Sequence, residues 1–384
     1  MKVAVLAETR PGEKRVAMVP AEISAMKDSG LEFFVEAGAG VAAGFTDDSF
    51  REAGATVVGS LPQLLEGAKF VLKVAPPTLG GDDGRDETGL IPADSILISF
   101  LSPSDNQDLI RKLAAGGVTA MGMEAVPRIT RAQKMDALSS QATVAGYEAV
   151  LVGATHMVKF LPMFMTAAGT IRPGKALILG AGVAGLQAIA TAKRLGAKVE
   201  AFDVRPAVKE QVQSLGAKFI EAELDESAED EGGYAKVRTE DQAEQDKALI
   251  AAHIRDADLV VTTAQIPGRK APVLITQEMV ESMAPGSVIV DLAASTGGNC
   301  PLTRPDEVVT HGGVVILGPT NLPSMLPFHA SQMYARNVRE LLDEMLDKET
   351  HELKLDMEND VLGPTAITHG GQVVHGPTKE LLGA

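Results

Sequence analysis

Three glycines and one aspartate carry the clearest chemical signal in this sequence. Gly180, Gly182 and Gly185 stand in the order Gly-x-Gly-x-x-Gly, directly after the apolar run Lys175–Leu179 and ahead of Leu186-Gln-Ala-Ile-Ala. The first glycine permits a tight turn, the second lets the backbone approach a pyrophosphate, and the third lets a helix pack close to the strand. A helix opening at Val183 would turn its free N–H groups and positive dipole end toward that anion. Such a pattern alone is a weak signal. Here a second apolar run, Val199–Asp203, ends in a carboxylate 18 residues past Gly185, where an acid accepts hydrogen bonds from ribose hydroxyls. A carboxylate there repels a 2′-phosphate, so the pattern points to NAD(H) over NADP(H). Arg205 argues the other way, because an arginine in that place accommodates a 2′-phosphate.

Ligands of open α/β sheets lie beyond the carboxyl ends of the strands. The matching ends here are Asp203-Val204-Arg205, Thr262-Thr263-Ala264-Gln265 and Asp291-Leu292-Ala293, expected to line one crevice. The seven histidines show no metal-ligand spacing, and no metal is expected. Cys300 has no activating neighbour in sequence and is read as structural. Met157, Met163 and Met165 are read as core packing.

The elements that would position these residues come in two series. Apolar runs at Lys2–Ala7, Glu32–Glu36, Phe70–Val74, Ser95–Leu101 and Val118–Met121 alternate with helical patterns such as Pro20–Ser29 and Asn106–Ala115. Pro76–Asp86 reads as a loop. A long helical region, about Thr130–Phe164, leads to the second series, whose strands are Lys175–Leu179, Val199–Asp203, Lys218–Glu221, Leu259–Thr263, Ser287–Asp291 and Val314–Leu317. A helix over about Ala330–Asp347 and a hairpin across His369-Gly370-Gly371 follow. Strand–helix alternation predicts mostly parallel sheets with helices on both faces. The fold expected is α/β, with two doubly wound, Rossmann-like domains separated by a cleft. Residues 1–138 with 324–384 form one domain, and 139–323 form the nucleotide domain.

Composition removes several function classes. A net charge of −16, no tryptophan and 4% aromatic residues disfavour nucleic acid as partner. The N-terminal apolar run is too short for a signal peptide, and no stretch approaches a membrane span. Tyr147–Gly169, the most apolar long stretch, is read as a buried helix. One cysteine fits a reducing compartment. Between Glu221 and Asp246 lie eleven acidic residues around Gly232-Gly233-Tyr234, an excursion long enough to be either a solvated loop or a functional one.

The whole chain resembles the alanine dehydrogenase/transhydrogenase superfamily. Arg10-Pro-Gly-Glu-Lys-Arg15-Val-Ala is a superfamily stretch. Pro127-Arg128-Ile129-Thr-Arg-Ala-Gln133-Lys-Met-Asp136-Ala-Leu-Ser139, the run Gly182–Gly196 and Gly232-Gly233-Tyr234-Ala235-Lys236 resemble the branch that binds NAD(H) for proton-translocating transhydrogenation. That resemblance implies that Arg128, Ile129, Gln133, Asp136 and Ser139 hold the nicotinamide end of the nucleotide. It implies that Gly233, Tyr234 and Ala235 belong to a mobile loop closing over it. Arg128, Gln133, Asp136, Ser139 and Tyr234 become the candidate catalytic set. Gly180, Gly182, Val183, Gly185, Asp203, Val204, Arg205, Ala264 and Gln265 complete the cofactor set. Read without the resemblance, Arg128 and Asp136 are two surface charges near a helix start.

The dehydrogenase branch makes a prediction the sequence can answer. Oxidising an amino acid to an imine and hydrolysing it needs an acid/base group and a water-activating group. By resemblance, a catalytic His would follow the fourth N-terminal strand and an Asp the fifth strand of the nucleotide domain. Ser102 and Ser295 stand there instead. Arg15 and Lys73, which match substrate-carboxylate positions, remain. The resemblance therefore implies a homodimer that binds NAD(H) and meets NADP(H) on a partner subunit. It also implies a membrane-spanning subunit that moves protons. The chain would be cytoplasmic, peripheral to the inner membrane, with no insertion of its own. An amino-acid dehydrogenase and a nucleotide-sensing module without chemistry are the alternatives.

Overall fold

The computed structural model describes residues 1–80, 85–221, 239–266 and 269–383. The chain forms two compact units, Met1–Gln141 with Ser324–Ala384, and Ala142–Pro323. The boundary falls inside the helix Ala137–His156.

The first unit is built on an eight-stranded sheet. Its order across the sheet is Gln372–Val373, Ala366–His369, Thr119–Gly122, Ile96–Ser99, Phe70–Leu72, Lys2–Val5, Glu32–Glu36 and Thr56–Val58. The six strands from the N-terminal series pair in parallel, and only the C-terminal hairpin is antiparallel. Lys2–Val5, Phe70–Leu72 and Ile96–Ser99 lie centrally and are almost wholly buried, as near-continuous apolar runs must be when both faces are covered. The helix Pro327–Glu344 returns to this unit and buries Tyr334, Val338, Leu341 and Leu342.

The second unit holds a seven-stranded sheet. Its order is Lys218–Phe219, Lys198–Phe202, Lys175–Leu179, Leu259–Thr262, Val288–Asp291, Val314–Leu317 and Val308–His311. All pairings are parallel except the last, an antiparallel edge that the sequence does not signal. The strand order reverses beside Lys175–Leu179, because Lys198–Phe202 lies on one side and Leu259–Thr262 on the other. Such a switch point is where ligands of open α/β sheets bind.

Three expectations for the linking region do not hold. The segment Thr130–Phe164 is not one helix. It is a 3₁₀ turn Thr130–Met135, then the helix Ala137–His156, then an approach to a small hairpin, Phe164–Thr166 with Gly169–Ile171. Pro162 cannot continue a helix, having no N–H to give and a ring that clashes with the turn before it. Tyr147–Gly169 is therefore not a buried helix, and Met163 and Met165 are not core. They are 56% and 78% exposed, beside exposed Phe160 and Phe164. Met157 does pack partly against the core of the second unit. Among the described residues no helix is long and apolar enough to cross a membrane.

Candidate functional site

The glycine turn is shaped by contacts that only glycine permits. Gly180 has φ +98°, in the left-handed region, and a Cβ there would sit 2.5 Å from Thr263 Oγ1. That hydroxyl donates to Gly180 O at 3.1 Å, so the strand end Thr263 closes directly on the turn. A Cβ on Gly185 would lie 1.8 Å from Gly180 O, which fixes how closely the helix Val183–Arg194 approaches the strand. Gly182 is different. A Cβ there meets nothing nearer than Arg205 Nη2 at 3.8 Å. It caps the helix with no side-chain hydrogen bond to the first turn, an arrangement in which the N–H groups of a helix start can receive an anion; Val183, the first helical residue, is 42% exposed.

Asp203 follows the neighbouring strand and is 5% exposed. Its Oδ2 accepts from Ala181 N at 2.7 Å, which ties it to the turn. Arg205 grips the same carboxylate, Nε to Oδ1 at 2.9 Å and Nη2 to Oδ2 at 2.8 Å, and adds its backbone N–H to Oδ1 at 2.9 Å. Val204 is half-buried between them.

The third strand end is set by a residue that sequence reasoning misses. Asn299, fully buried, accepts from Ala264 N at 3.2 Å and donates to Ala264 O at 2.9 Å and Pro272 O at 2.8 Å. Gln265 is exposed and donates to Leu292 O at 2.8 Å. The fourth end is not a lining residue as expected. Asp291 is 0% exposed. It accepts from Thr262 Oγ1, Ala293 N, Asn299 N, Cys300 N and Thr303 Oγ1 at 2.7–3.2 Å. It is a knot that shapes the loop after its strand and leaves no acceptor for a ligand. Cys300 is buried and its thiol pKa is pushed up, chiefly by that burial.

The other candidate loop belongs to the first unit. Arg128, Ile129 and Gln133 are exposed there. Asp136 accepts from Ser139 N at 2.9 Å and from Ser139 Oγ at 2.6 Å, capping the helix Ala137–His156. Arg131 pins the loop to Glu344 at 2.8 Å and also pairs with Asp360. Asn337 Nδ2 holds Lys134 O at 2.7 Å. Gly233, Tyr234 and Ala235 lie outside the described residues.

Ser102 and Ser295, which the resemblance matches to the acid/base positions of the dehydrogenase branch, hold no titrating group. Ser102 takes φ +45°, and its N–H and that of Leu101 donate to Glu124 Oε1 at 2.6 and 2.9 Å. Ser295 is exposed in the 3₁₀ turn Ala294–Thr296. Arg15 and Lys73 are buried and internally paired. Arg15 meets Glu13 at 2.7 Å and Gln141 Oε1 at 2.9 Å. Lys73, 1% exposed, meets Glu8 and Glu87, each at 3.2 Å. Burial pushes the Glu8 carboxyl above its ordinary range despite the Lys73 ammonium beside it. No group of His, Cys, Asp and Glu fit to hold a metal occurs among the described residues.

Two family models span most of the chain. Residues 4–145 match the alanine dehydrogenase/PNT N-terminal domain, and 149–376 match the alanine dehydrogenase/PNT C-terminal domain. The chain belongs to the alanine dehydrogenase/PNT family. Within the family it is 46% identical to the chain that forms the first portion of NAD(P) transhydrogenase subunit alpha in Rhodospirillum rubrum, over 377 residues covering 98% of each chain. It is 30% identical to alanine dehydrogenase 1 of Staphylococcus aureus, over 98% of this chain and 95% of that one. Its fold matches the crystal structure of transhydrogenase from Sinorhizobium meliloti, at TM-score 0.87 and 44% identity, covering 97% of this chain and all of the other. An L-alanine dehydrogenase structure matches at TM-score 0.82 and 26% identity, covering 100% and 99%. Both branches share this α/β fold with its mostly parallel sheets, so fold alone does not separate them.

Proposed function

We propose that this chain is the NAD(H)-binding component of a proton-translocating transhydrogenase. It binds NAD(H) on the glycine turn of the second unit. It exchanges hydride with NADP(H) held by a partner subunit, and membrane-spanning subunits couple that exchange to proton movement. In this reading the chain is a homodimer on the cytoplasmic side of the inner membrane. The observation that carries the reading is the pairing of a complete dinucleotide cradle with Ser102 and Ser295, where amino-acid oxidation needs titrating groups. A hydroxyl does not exchange protons usefully near neutral pH.

The residues fit the nucleotide. Gly182 has no heavy atom closer than 3.8 Å to where a side chain would start, while Gly180 and Gly185 leave no room for one. The helix opening at Val183 directs its free N–H groups there. Asp203, fixed by Ala181 and Arg205, marks the strand end at which the adenosine ribose would sit. Asn299 orders Ala264, so that this backbone can line the nucleotide. Bound NAD(H) supplies the redox chemistry itself. The chain's residues then bind, orient and exclude water. Arg128, Ile129 and Gln133 serve the nicotinamide end, on a loop that Asp136 and Ser139 hold in register.

The test is to mix the purified chain with a transhydrogenase NADP(H)-binding component and follow reduction of an NAD⁺ analogue by NADPH. Hydride exchange that requires both proteins is expected. Turnover of L-alanine with NAD⁺ by the chain alone would overturn the proposal in favour of a dehydrogenase. NADH binding without exchange would leave a sensing module.

A further inference from the structure

The 3₁₀ turn Thr130–Met135 runs for six residues, whereas that geometry is uncommon beyond three or four. Its internal hydrogen bonds are poorly aligned, so a run of this length needs support from outside. With three residues per turn, side chains at i and i+3 eclipse. Ala132 and Met135 share one edge, and both are buried in the core of the first unit. Arg131 and Lys134 share a second edge, which carries the polar support. Arg131 Nη1 donates to Glu344 Oε1 at 2.8 Å, and its Nη2 donates to Asn359 Oδ1 at 3.0 Å and to Asp360. Lys134 O accepts from Asn337 Nδ2 at 2.7 Å. The acceptors are themselves fixed. Glu344 ends the helix Pro327–Glu344, and Asn359 Nδ2 donates to the same Glu344 oxygen at 2.8 Å. Asn359 Oδ1 also accepts from Val361 N at 2.8 Å and Leu362 N at 3.0 Å.

We propose that Arg131 is a positioning residue for hydride transfer: its clamp on Glu344, Asn359 and Asp360 sets the loop that presents Arg128 and Gln133 to the nicotinamide. This rests on the transhydrogenase reading and deepens it. Burial of Ala132 and Met135 keeps the loop on the unit, but apolar contact has no direction. Hydrogen bonds along one edge fix how the turn is rotated, and with it where the exposed Arg128 and Gln133 stand. A guanidinium suits the task, because its donors lie in one rigid plane and can hold several acceptors at once. An ion pair as exposed as this one adds little to stability. What it sets is geometry, and a misplacement of about 1 Å can cost roughly a hundredfold in rate.

The experiment uses the full chain with a transhydrogenase NADP(H)-binding component. It measures hydride exchange at saturating nucleotides, NADH affinity by fluorescence titration, and Tm. Arg131→Met should slow exchange by roughly tenfold to a hundredfold. NADH affinity should change by less than about threefold and Tm by less than about 2 °C. Glu344→Ala combined with Asp360→Ala leaves Arg131 in place without its carboxylates and should slow exchange to a similar degree. Adding Arg131→Met to that pair should cost nothing further, because both changes break one clamp. Undiminished exchange by Arg131→Met, or losses that multiply in the triple variant, would overturn the clamp. A loss of NADH affinity equal to the loss of rate, or a fall in Tm above about 5 °C, would overturn the positioning role in favour of a binding or a structural one. Undiminished exchange by Gln133→Ala would overturn the placement of this loop at the nicotinamide. A wild type without exchange would overturn the functional reading itself, a result distinct from failure of the clamp.

Discussion

The two units solve the same architectural problem in opposite ways at the carboxyl ends of their parallel strands. In the second unit a glycine turn keeps the backbone accessible there: Gly180 and Gly185 remove side chains, Asp291 and Asn299 fold the following loops back on themselves, and an ion pair at the turn, Asp203 with Arg205, lies beside Gly182. In the first unit the ends are filled by the chain's own charges. Lys73 is surrounded by Glu8 and Glu87, Arg85 by Glu36 and Glu87, and Arg15 by Glu13. A parallel sheet directs loops and charges to one end whatever its function. Both ends supply counter-charges of their own, so what distinguishes the second is its glycine turn and not an unpaired charge. The cations at Arg15 and Lys73 are paired internally, so their presence does not by itself mark a substrate site.

The largest expected effect breaks the filled end. Lys73→Met removes the only ammonium contacting Glu8 among the described ion pairs and leaves buried carboxylates facing each other. Loss of one partner from a buried ionic cluster costs about 3–5 kcal/mol, roughly a 10 °C fall in Tm for a unit of this size. Thermal unfolding followed by circular dichroism checks it. A fall of under about 2 °C would mean that the cluster is not held by Lys73.

The next effect separates the two kinds of glycine at the open end. Gly185→Ala drives a methyl group into Gly180 O and should cost about 1–3 kcal/mol of stability along with NADH affinity. Gly182→Ala brings its methyl no closer than ordinary contact distance, 3.8 Å from Arg205 Nη2, so Tm should hold while NADH affinity falls, since the methyl takes the place of the pyrophosphate. The two are compared by melting curves and NADH fluorescence titration. Equal losses of stability would show that Gly182 is structural and the cradle is misplaced.

The same contrast marks what the sequence can reveal. The open end is legible because its constraints are local: Gly180, Gly182, Gly185 and Asp203 lie within 24 residues, and each acts through backbone shape or one charge. Asn299 is not, because its hydrogen bonds reach back 35 residues to Ala264. The pairing of Lys73 with Glu8 and Glu87 depends on which strands lie side by side, and no periodicity encodes that. The exposed hairpin around Phe164 reads as buried helix because apolar composition does not say what covers a segment, although Pro162 bars a helix from running through to it. The edge strand Val308–His311 gives little signal because it is half exposed and its apolar pattern is only two residues long.

The smallest effect sharpens the account of the filled end. Glu124 accepts the N–H groups of Leu101 and Ser102, each most closely on Oε1, and loss of hydration at its carboxyl pushes its pKa up. Its folded pKa therefore lies above its unfolded value. Below the unfolded value both states are protonated and the residue is neutral in the balance. As pH rises from there to the folded pKa, the unfolded state releases its proton first, so stability falls and stays lower. Glu124→Gln keeps an oxygen for both N–H groups and removes the charge. The variant should match the wild type in acid and melt at a higher temperature than it near neutral pH. Paired melting curves across pH check this. A neutral-pH loss would mean that the charge itself is needed to hold the backbone at Ser102, and that the strained φ there is maintained by an anion and not by shape.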